Sequence, residues 1–290
     1  FRKVRPKSCE PPAFVVFATD FCGPLPMSLR GHGFVMLAVD EATRYLKLVP
    51  IAGKWDAPDK LDKTVCEIRK KLGISRTPKR IVFSGIRADN EFAFRSARWT
   101  STIGLHGLTE LHPNPYSPQQ NSRAERAIRT VKTLLRASMT GVDDRLWCWC
   151  LENLEKILNS RVNPITRKSP NQWLSEETTN PVEAMRGNRR VLRHARRFGC
   201  LAYVNIRQPK PAALESNRFA AVFLGLNHVS SGWLFGHLDD KGRLVVTESR
   251  DAVFLESVLV GDLLKLKGLS SLTASGASSE LCQDGFAKST

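Results

Sequence analysis

The order of apolar runs in this 290-residue chain predicts an α/β core followed by a small β-rich domain. The core is expected to be a mixed five-stranded sheet flanked by helices. Three observations predict this. Three β-branched and aromatic runs of strand length come first, the second and third joined by a short polar connection. Helical and strand-like stretches then alternate and end in a long amphipathic helix. Beyond an arginine-rich segment, five short strand-like runs are separated by Gly, Asn or Asp.

Taken in order, residues 1–12 are basic and proline-interrupted, a lead-in to the core domain expected over 13–178. Residues 13–20, 33–40 and 45–51 read as strands, with a hairpin through 41–44. Leu61, Val65, Ile68 and Leu72 have helical spacing, and Gly73 closes that helix. Residues 80–84 read as a short buried strand. Asp89-Asn90 opens a second helical stretch, and 108–111 is a brief strand before a proline-rich loop. A hairpin-linked trio followed by βαβ steps implies a mixed sheet. Residues 146–163 form a further helix whose Trp147, Cys150, Leu151, Leu154, Ile157 and Leu158 read as core. Residues 179–197 read as a basic linker, either simply solvated or touching DNA or serving nuclear import. The β-rich domain, barrel-like or a sandwich, is expected over 198–258, and a disordered tail rich in Ser, Gly and Ala over 259–290.

Composition narrows the partner. A hydrophobic share of 42% is ordinary for a folded chain, but a net charge of +16 and a pI near 9.9 are not. They point to a polyanion, with nucleic acid ahead of a membrane surface, because no basic amphipathic helix with large aromatics appears. No apolar run is long enough to span a bilayer, and there is no signal peptide. The seven cysteines include no CxxC pair, and the six histidines lack zinc-ligand spacing with them. Reduced thiols in a cytosolic or nuclear setting follow. The chain does not begin with methionine, as expected of a processed product or a piece of a longer polypeptide.

Residues 113–139 organise the rest. A proline-rich polar loop runs into a helix beginning near Asn121 or Ser122. Ala124, Ala127, Ile128, Val131, Leu134 and Leu135 fall on one face, at about 100° per residue. Glu125, Arg129, Lys132 and Arg136 line the other. One carboxylate followed by a row of cations is an unusual polar face, since solvated faces usually mix signs to gain i,i+4 pairs. Glu125 has two readings at this point: the N3 acid of a capping box begun by Ser122, or a ligand. Asp20 closes an apolar strand, where it is either a satisfied turn residue or a functional acid. Asp89 stands just past a strand, either an N-cap or a site residue at a strand end. Together the three acids would repel one another without a bound cation. Oxygen-only ligands favour Mg²⁺ or Mn²⁺ over zinc. Two such ions, roughly 3.5–4 Å apart, activate an attacking hydroxyl and stabilise the leaving oxygen of a phosphodiester. The cationic row would hold the phosphate backbone.

At these residues the chain resembles the catalytic core of retroviral and retrotransposon integrases. Thr19-Asp20, Asp89-Asn90 and Glu125 look like that family's three acidic positions, and thirty-five residues separate Asp89 from Glu125. Pro115-Tyr116-Ser117-Pro118-Gln119-Gln120-Asn121-Ser122-Arg123-Ala124-Glu125-Arg126 is similar to its strongest block. Arg197-Phe198-Gly199-Cys200-Leu201-Ala202-Tyr203, residues 221–225 and residues 249–256 resemble the segment that follows the core in copia-type elements. The resemblance spans about residues 14–256. It implies a ribonuclease-H-like fold, catalytic and metal-binding roles for Asp20, Asp89 and Glu125, and DNA 3′-end processing and strand transfer with element ends and target DNA as substrates. DNA contacts are expected from Asn121, Arg123, Arg126, Arg129, Lys132 and Arg136. A homo-oligomer, a Pol polyprotein origin, and action in the nucleus after cytoplasmic assembly are also implied. The sequence departs from the family pattern at Glu91, which follows Asn90 where glycine is usual, and at Ser122, again in place of glycine. The family's amino-terminal His-His-Cys-Cys zinc module is not in this sequence.

Two other functions compete with this one. The first is a catalytically silent or domesticated integrase-like protein that holds DNA. The second is a nuclease of ribonuclease H type, which would explain the acids but neither the 115–126 block nor the β-rich tail.

Overall fold

The computed structural model describes residues 15–71, 83–88, 92–111, 122–164, 167–176, 181–205, 218–227 and 232–266. The chain divides into two compact units, Phe1–Ala137 with Leu151–His194, and Ser138–Cys150 with Ala195–Thr290.

In the first unit, β1 (Val16–Cys22), β2 (Phe34–Asp40), β3 (Leu46–Ile51), β4 (Gly85–Arg87) and β5 (Thr109–Glu110) form one sheet in the order β3-β2-β1-β4-β5. The β1–β2 and β2–β3 pairs are antiparallel, whereas β1–β4 and β4–β5 are parallel. Helices α1 (Ala57–Lys71), α2 (Ala97–Leu105) and α3 (Ser122–Met139) follow the pattern expected between and after these strands. This is the mixed five-stranded sheet of a ribonuclease-H-like fold. Its strand order follows from chain chemistry. The short β2–β3 turn can only return the chain antiparallel, and the helical crossovers return it parallel.

Residue alternation assigns the two faces of β1. Phe17 and Phe21 join the core shared with Leu61, Val65 and Ile68 of α1 and Trp99 and Ile103 of α2. Phe17 stacks on Phe83 and Phe21 on Phe94, with centroids 4.2 and 4.4 Å apart. Ala18, Asp20 and Cys22 therefore point to the opposite face.

Three expectations shift in this unit. The strand expected at 80–84 is β4, at Gly85–Arg87; 80–82 lie outside the described residues. Phe83 has φ 46°, which takes the backbone out of the extended region just before the strand starts. The helical stretch expected from Asp89, whose first three residues lie outside the described ones, is from 92 onward a 3-10 turn, Phe92–Arg95, followed by α2. Ser96 restarts the chain there as an N-cap, its side chain accepting the Trp99 amide at 3.2 Å. The basic linker expected at 179–197 contains a helix, α6 (Pro181–His194). It packs with α5 (Pro170–Glu176) through buried Asn188, which donates to Ser169 Oγ at 2.7 Å and accepts from Asn171 at 3.1 Å.

Strand β3 is an edge of the sheet, and helix α4 (Trp147–Ser160) satisfies its backbone with side chains. Asn159 accepts the Leu46 amide at 2.8 Å and donates to the Leu46 carbonyl at 2.7 Å. Glu155 accepts the Leu48 amide at 2.7 Å. Four residues of helix rise about 6 Å, close to two residues of strand, so the spacings match. An edge covered in this way cannot recruit a further strand. Asn159→Ala should cost about 2–4 kcal/mol, because it strands a buried donor and acceptor together. Urea denaturation would measure this. Loss under about 0.5 kcal/mol, the scale of an ordinary surface change, would argue against the clasp.

In the second unit, β6 (Cys200–Asn205), β7 (Arg218–Leu226), β8 (Trp233–Leu238), β9 (Leu244–Ser249) and β10 (Ala252–Leu259) form an all-antiparallel sheet ordered β10-β6-β7-β8-β9. Among the described residues β9 does not pair with β10, so the expected barrel is not closed by backbone hydrogen bonds. Phe223, Phe235, Phe254 and Trp233 build an aromatic core on one face. Gly199 sits at φ 75°, and a Cβ there would meet Val142 at 2.4 Å, so both backbone and space require glycine in the Arg-Phe-Gly-Cys stretch. The tail expected from 259 is ordered at its start, where Val260, Leu263 and Leu266 are buried; 267–290 lie outside the described residues, as does the lead-in 1–12.

Candidate functional site

Asp20 is the half-buried member of an otherwise buried β1. Its Oδ1 accepts the Phe21 amide at 2.6 Å, which fixes the carboxylate against the strand end. Pairing with Leu37 on β2 places it in the middle of the sheet's width. On the parallel side, Ala18 pairs with Arg87, so β4 ends level with the residue two before Asp20. Arg87 donates through Nε to buried Glu41 at 2.7 Å, pinning that end of β4 to the β2–β3 turn. The same turn is held by Asp40, whose Oδ2 accepts the Thr43 amide and hydroxyl, each at 2.7 Å.

Helix α3 forms as its spacing predicts. Ala124, Ile128, Val131 and Leu135 are buried, and Ala127 and Leu134 are half-buried. Glu125, Arg129, Lys132 and Arg136 are exposed, within about 40° of one line along the helix. Thr130 and Thr133 turn their hydroxyls onto the carbonyls four residues back, at 3.0 and 2.9 Å. This keeps them from competing with the cations for a ligand.

The buried Cys22 thiol links strand and helix. Burial pushes it above the ordinary thiol range; Lys132 and Arg136 pull it down, while Asp20 pushes it up. Alternation puts Cys22 and Asp20 on the same face of β1.

The remaining expected site residues divide. Asp89 and Asn121 lie outside the described residues, and Arg123 is in the first turn of α3 with its side chain not described. Arg126 is exposed but about 100° round the helix from Glu125. It lines a cavity of about 350 Å³ with Arg44, Thr130, Arg161 and Pro164. Sequence reading missed Arg44 and Arg161, because only folding brings the β2–β3 turn and the end of α4 beside α3. It also missed the Glu41–Arg87 pair; an acid and a base 46 positions apart leave no local pattern.

Asp20 and Glu125 offer carboxylate oxygens alone, a donor set that suits a hard divalent cation such as Mg²⁺ or Mn²⁺. The described cysteines Cys22, Cys66, Cys148, Cys150 and Cys200 are unbridged, and no described helix is long and apolar enough to cross a membrane.

No family model matches the chain. It is similar, at 24% identity over 244 residues, to a "Retrovirus-related Pol polyprotein from transposon TNT 1-94" of Nicotiana tabacum. The similarity covers 82% of this chain but 17% of that polyprotein, so the chain spans about a sixth of its relative's length. Homology to a retrotransposon Pol polyprotein segment is what the comparison supports.

Proposed function

We propose that this segment, related to a retrotransposon Pol polyprotein, is an integrase catalytic core that carries out metal-dependent DNA 3′-end processing and strand transfer. One observation carries the reading: Asp20 stands near the end of the central strand of a ribonuclease-H-like sheet, its carboxylate held by the Phe21 amide, and the helix that carries Glu125 presents an exposed row of cations behind it. Asp20, Glu125 and, from the resemblance, Asp89 would hold Mg²⁺ or Mn²⁺. When bound, such ions activate an attacking hydroxyl and stabilise the leaving oxygen of a phosphodiester.

The chain's own residues supply the rest. β1 is hydrogen-bonded on both sides, so it gives Asp20 a rigid mount, and the Phe21 amide orients the carboxylate. Arg129, Lys132 and Arg136 lie along the helix that carries Glu125, so a phosphate backbone drawn to them is led past that carboxylate. Assembly as a homo-oligomer on element ends and target DNA, in the nucleus, is part of the same proposal.

The direct test is a strand-transfer assay with Mn²⁺, blunt-ended duplex donor and plasmid target. Joined products are expected. DNA binding without joining or nicking would favour a silent DNA-holding protein. Binding gives a second measure. The Lys132→Ala/Arg136→Ala double variant should lower the slope of log K against log salt by about 2, at roughly 0.9 per lost phosphate contact. Arg126→Ala should change it less, being a quarter turn away. An unchanged slope in the double variant would remove the α3 row from the DNA site.

A further inference from the structure

Away from the carboxylates, α1 and α2 present a second set of ligating groups. Asp62 and Cys66 are one turn apart on α1, so they share a face, and His106 caps the C-terminus of α2. One donor atom from each of the three lies within 4.8 Å of the others. His106 Nε2 is 2.7 Å from Asp62 Oδ1, and its ring is almost covered, at 10% exposure. Arg69, a turn beyond Cys66, donates to the His106 carbonyl at 2.9 Å and the Phe83 carbonyl at 3.0 Å. The imidazole is therefore held in place by its backbone as well as by Asp62.

An Asp–His hydrogen bond between the two elements explains two of these residues and leaves Cys66 unexplained. Cysteine is among the most buried residue types, and the other four described cysteines are buried. Cys66 alone among them is exposed, beside an imidazole and a carboxylate.

We propose that Asp62, Cys66 and His106 form a zinc site that clasps α1 to α2. Sulfur, nitrogen and oxygen donors at about 2.3, 2.0 and 2.0 Å from a tetrahedral Zn²⁺ sit roughly 3.3–3.5 Å from one another, within reach of separations under 4.8 Å after a small opening of the 2.7 Å pair. The thiol gives up its proton to solvent on binding, and water fills the fourth position, since Asp62 is about half exposed. The soft thiolate selects zinc over the Mg²⁺ suited to Asp20 and Glu125. The α2 C-terminus adds a favourable dipole for a cation. The site uses no residue of the proposed DNA-processing centre, so either proposal stands without the other.

The test replaces zinc with Co²⁺ in the full chain. Wild-type protein should show a thiolate-to-cobalt charge-transfer band and the visible bands of tetrahedral cobalt, at one ion per chain. Cys66→Ser, an exposed change, should lose the charge-transfer band. Asp62→Asn should bind at least tenfold more weakly. Zinc should raise the melting temperature of the wild type and leave Cys66→Ser unmoved. His106→Gln serves as a third variant if it folds. No charge-transfer band in the wild type, or the same band in Cys66→Ser, would overturn the site and leave only the Asp62–His106 hydrogen bond.

Discussion

Asp20→Asn and Glu125→Gln proteins are expected to bind DNA about as well as the wild type and to lose strand transfer by on the order of 10³-fold or more. The magnitude is that of removing several kcal/mol of transition-state stabilisation supplied through a held divalent ion. Each substitution keeps the size of the side chain and removes its charge. Asp20→Asn should also keep the fold, because the amide oxygen can still accept the Phe21 amide. Neither change touches the α3 cations, so the salt slope of DNA binding should stay within error of the wild type. Activity and binding measured on the same preparations separate the outcomes. Retained joining in either variant would remove that residue from the chemistry. If the wild type is equally inactive, the chain holds DNA without processing it.

The second large effect concerns stability. Glu155→Ala should destabilise the first unit by about 3–5 kcal/mol, read from urea or thermal denaturation. Glu155 is nearly buried, accepts the Leu48 amide, and lies 3.3 Å from Lys47, itself mostly covered. Its removal leaves a buried ammonium whose other described partner is the half-exposed Glu67, at 3.1 Å, and strands a backbone donor. Burial by itself would pull the Lys47 ammonium down, but Glu155 and Glu67 together carry it above the usual lysine range. A folded-state value above the unfolded one means the contribution is complete below the ordinary lysine pKa. It is lost only as pH climbs through the raised value. The destabilisation by Glu155→Ala should therefore be flat across neutral pH. Adding Lys47→Met should restore part of it, since the uncompensated charge goes with the lysine. A double variant as unstable as the sum of the singles would deny the coupling.

Much of the fold was legible because it rests on local patterns. The α3 helix was readable residue by residue: its apolar positions recur every three to four residues, and those at Ala124, Ile128, Val131 and Leu135 are the buried ones. The hairpin of β2 and β3 was readable from its short polar connection. Position 83 was not, because Phe83 is apolar enough to read as strand while its backbone is left-handed. Likewise, the arginines of α6 read as a basic linker, solvated or in contact with DNA, and the buried Asn188 that docks the helix carries no apolar signal.

Periodicity and charge, which are properties of neighbours in the chain, specify most of the elements, their order, the basic character of the molecule and the row of cations behind Glu125. Which face of β1 carries Asp20, and that α4 side chains complete the β3 edge, emerge only in the folded chain. So does the meeting of Asp62, Cys66 and His106. The physical reason is distance along the chain. Contacts between residues tens of positions apart are set by strand pairing and helix packing, which leave no trace in any local window.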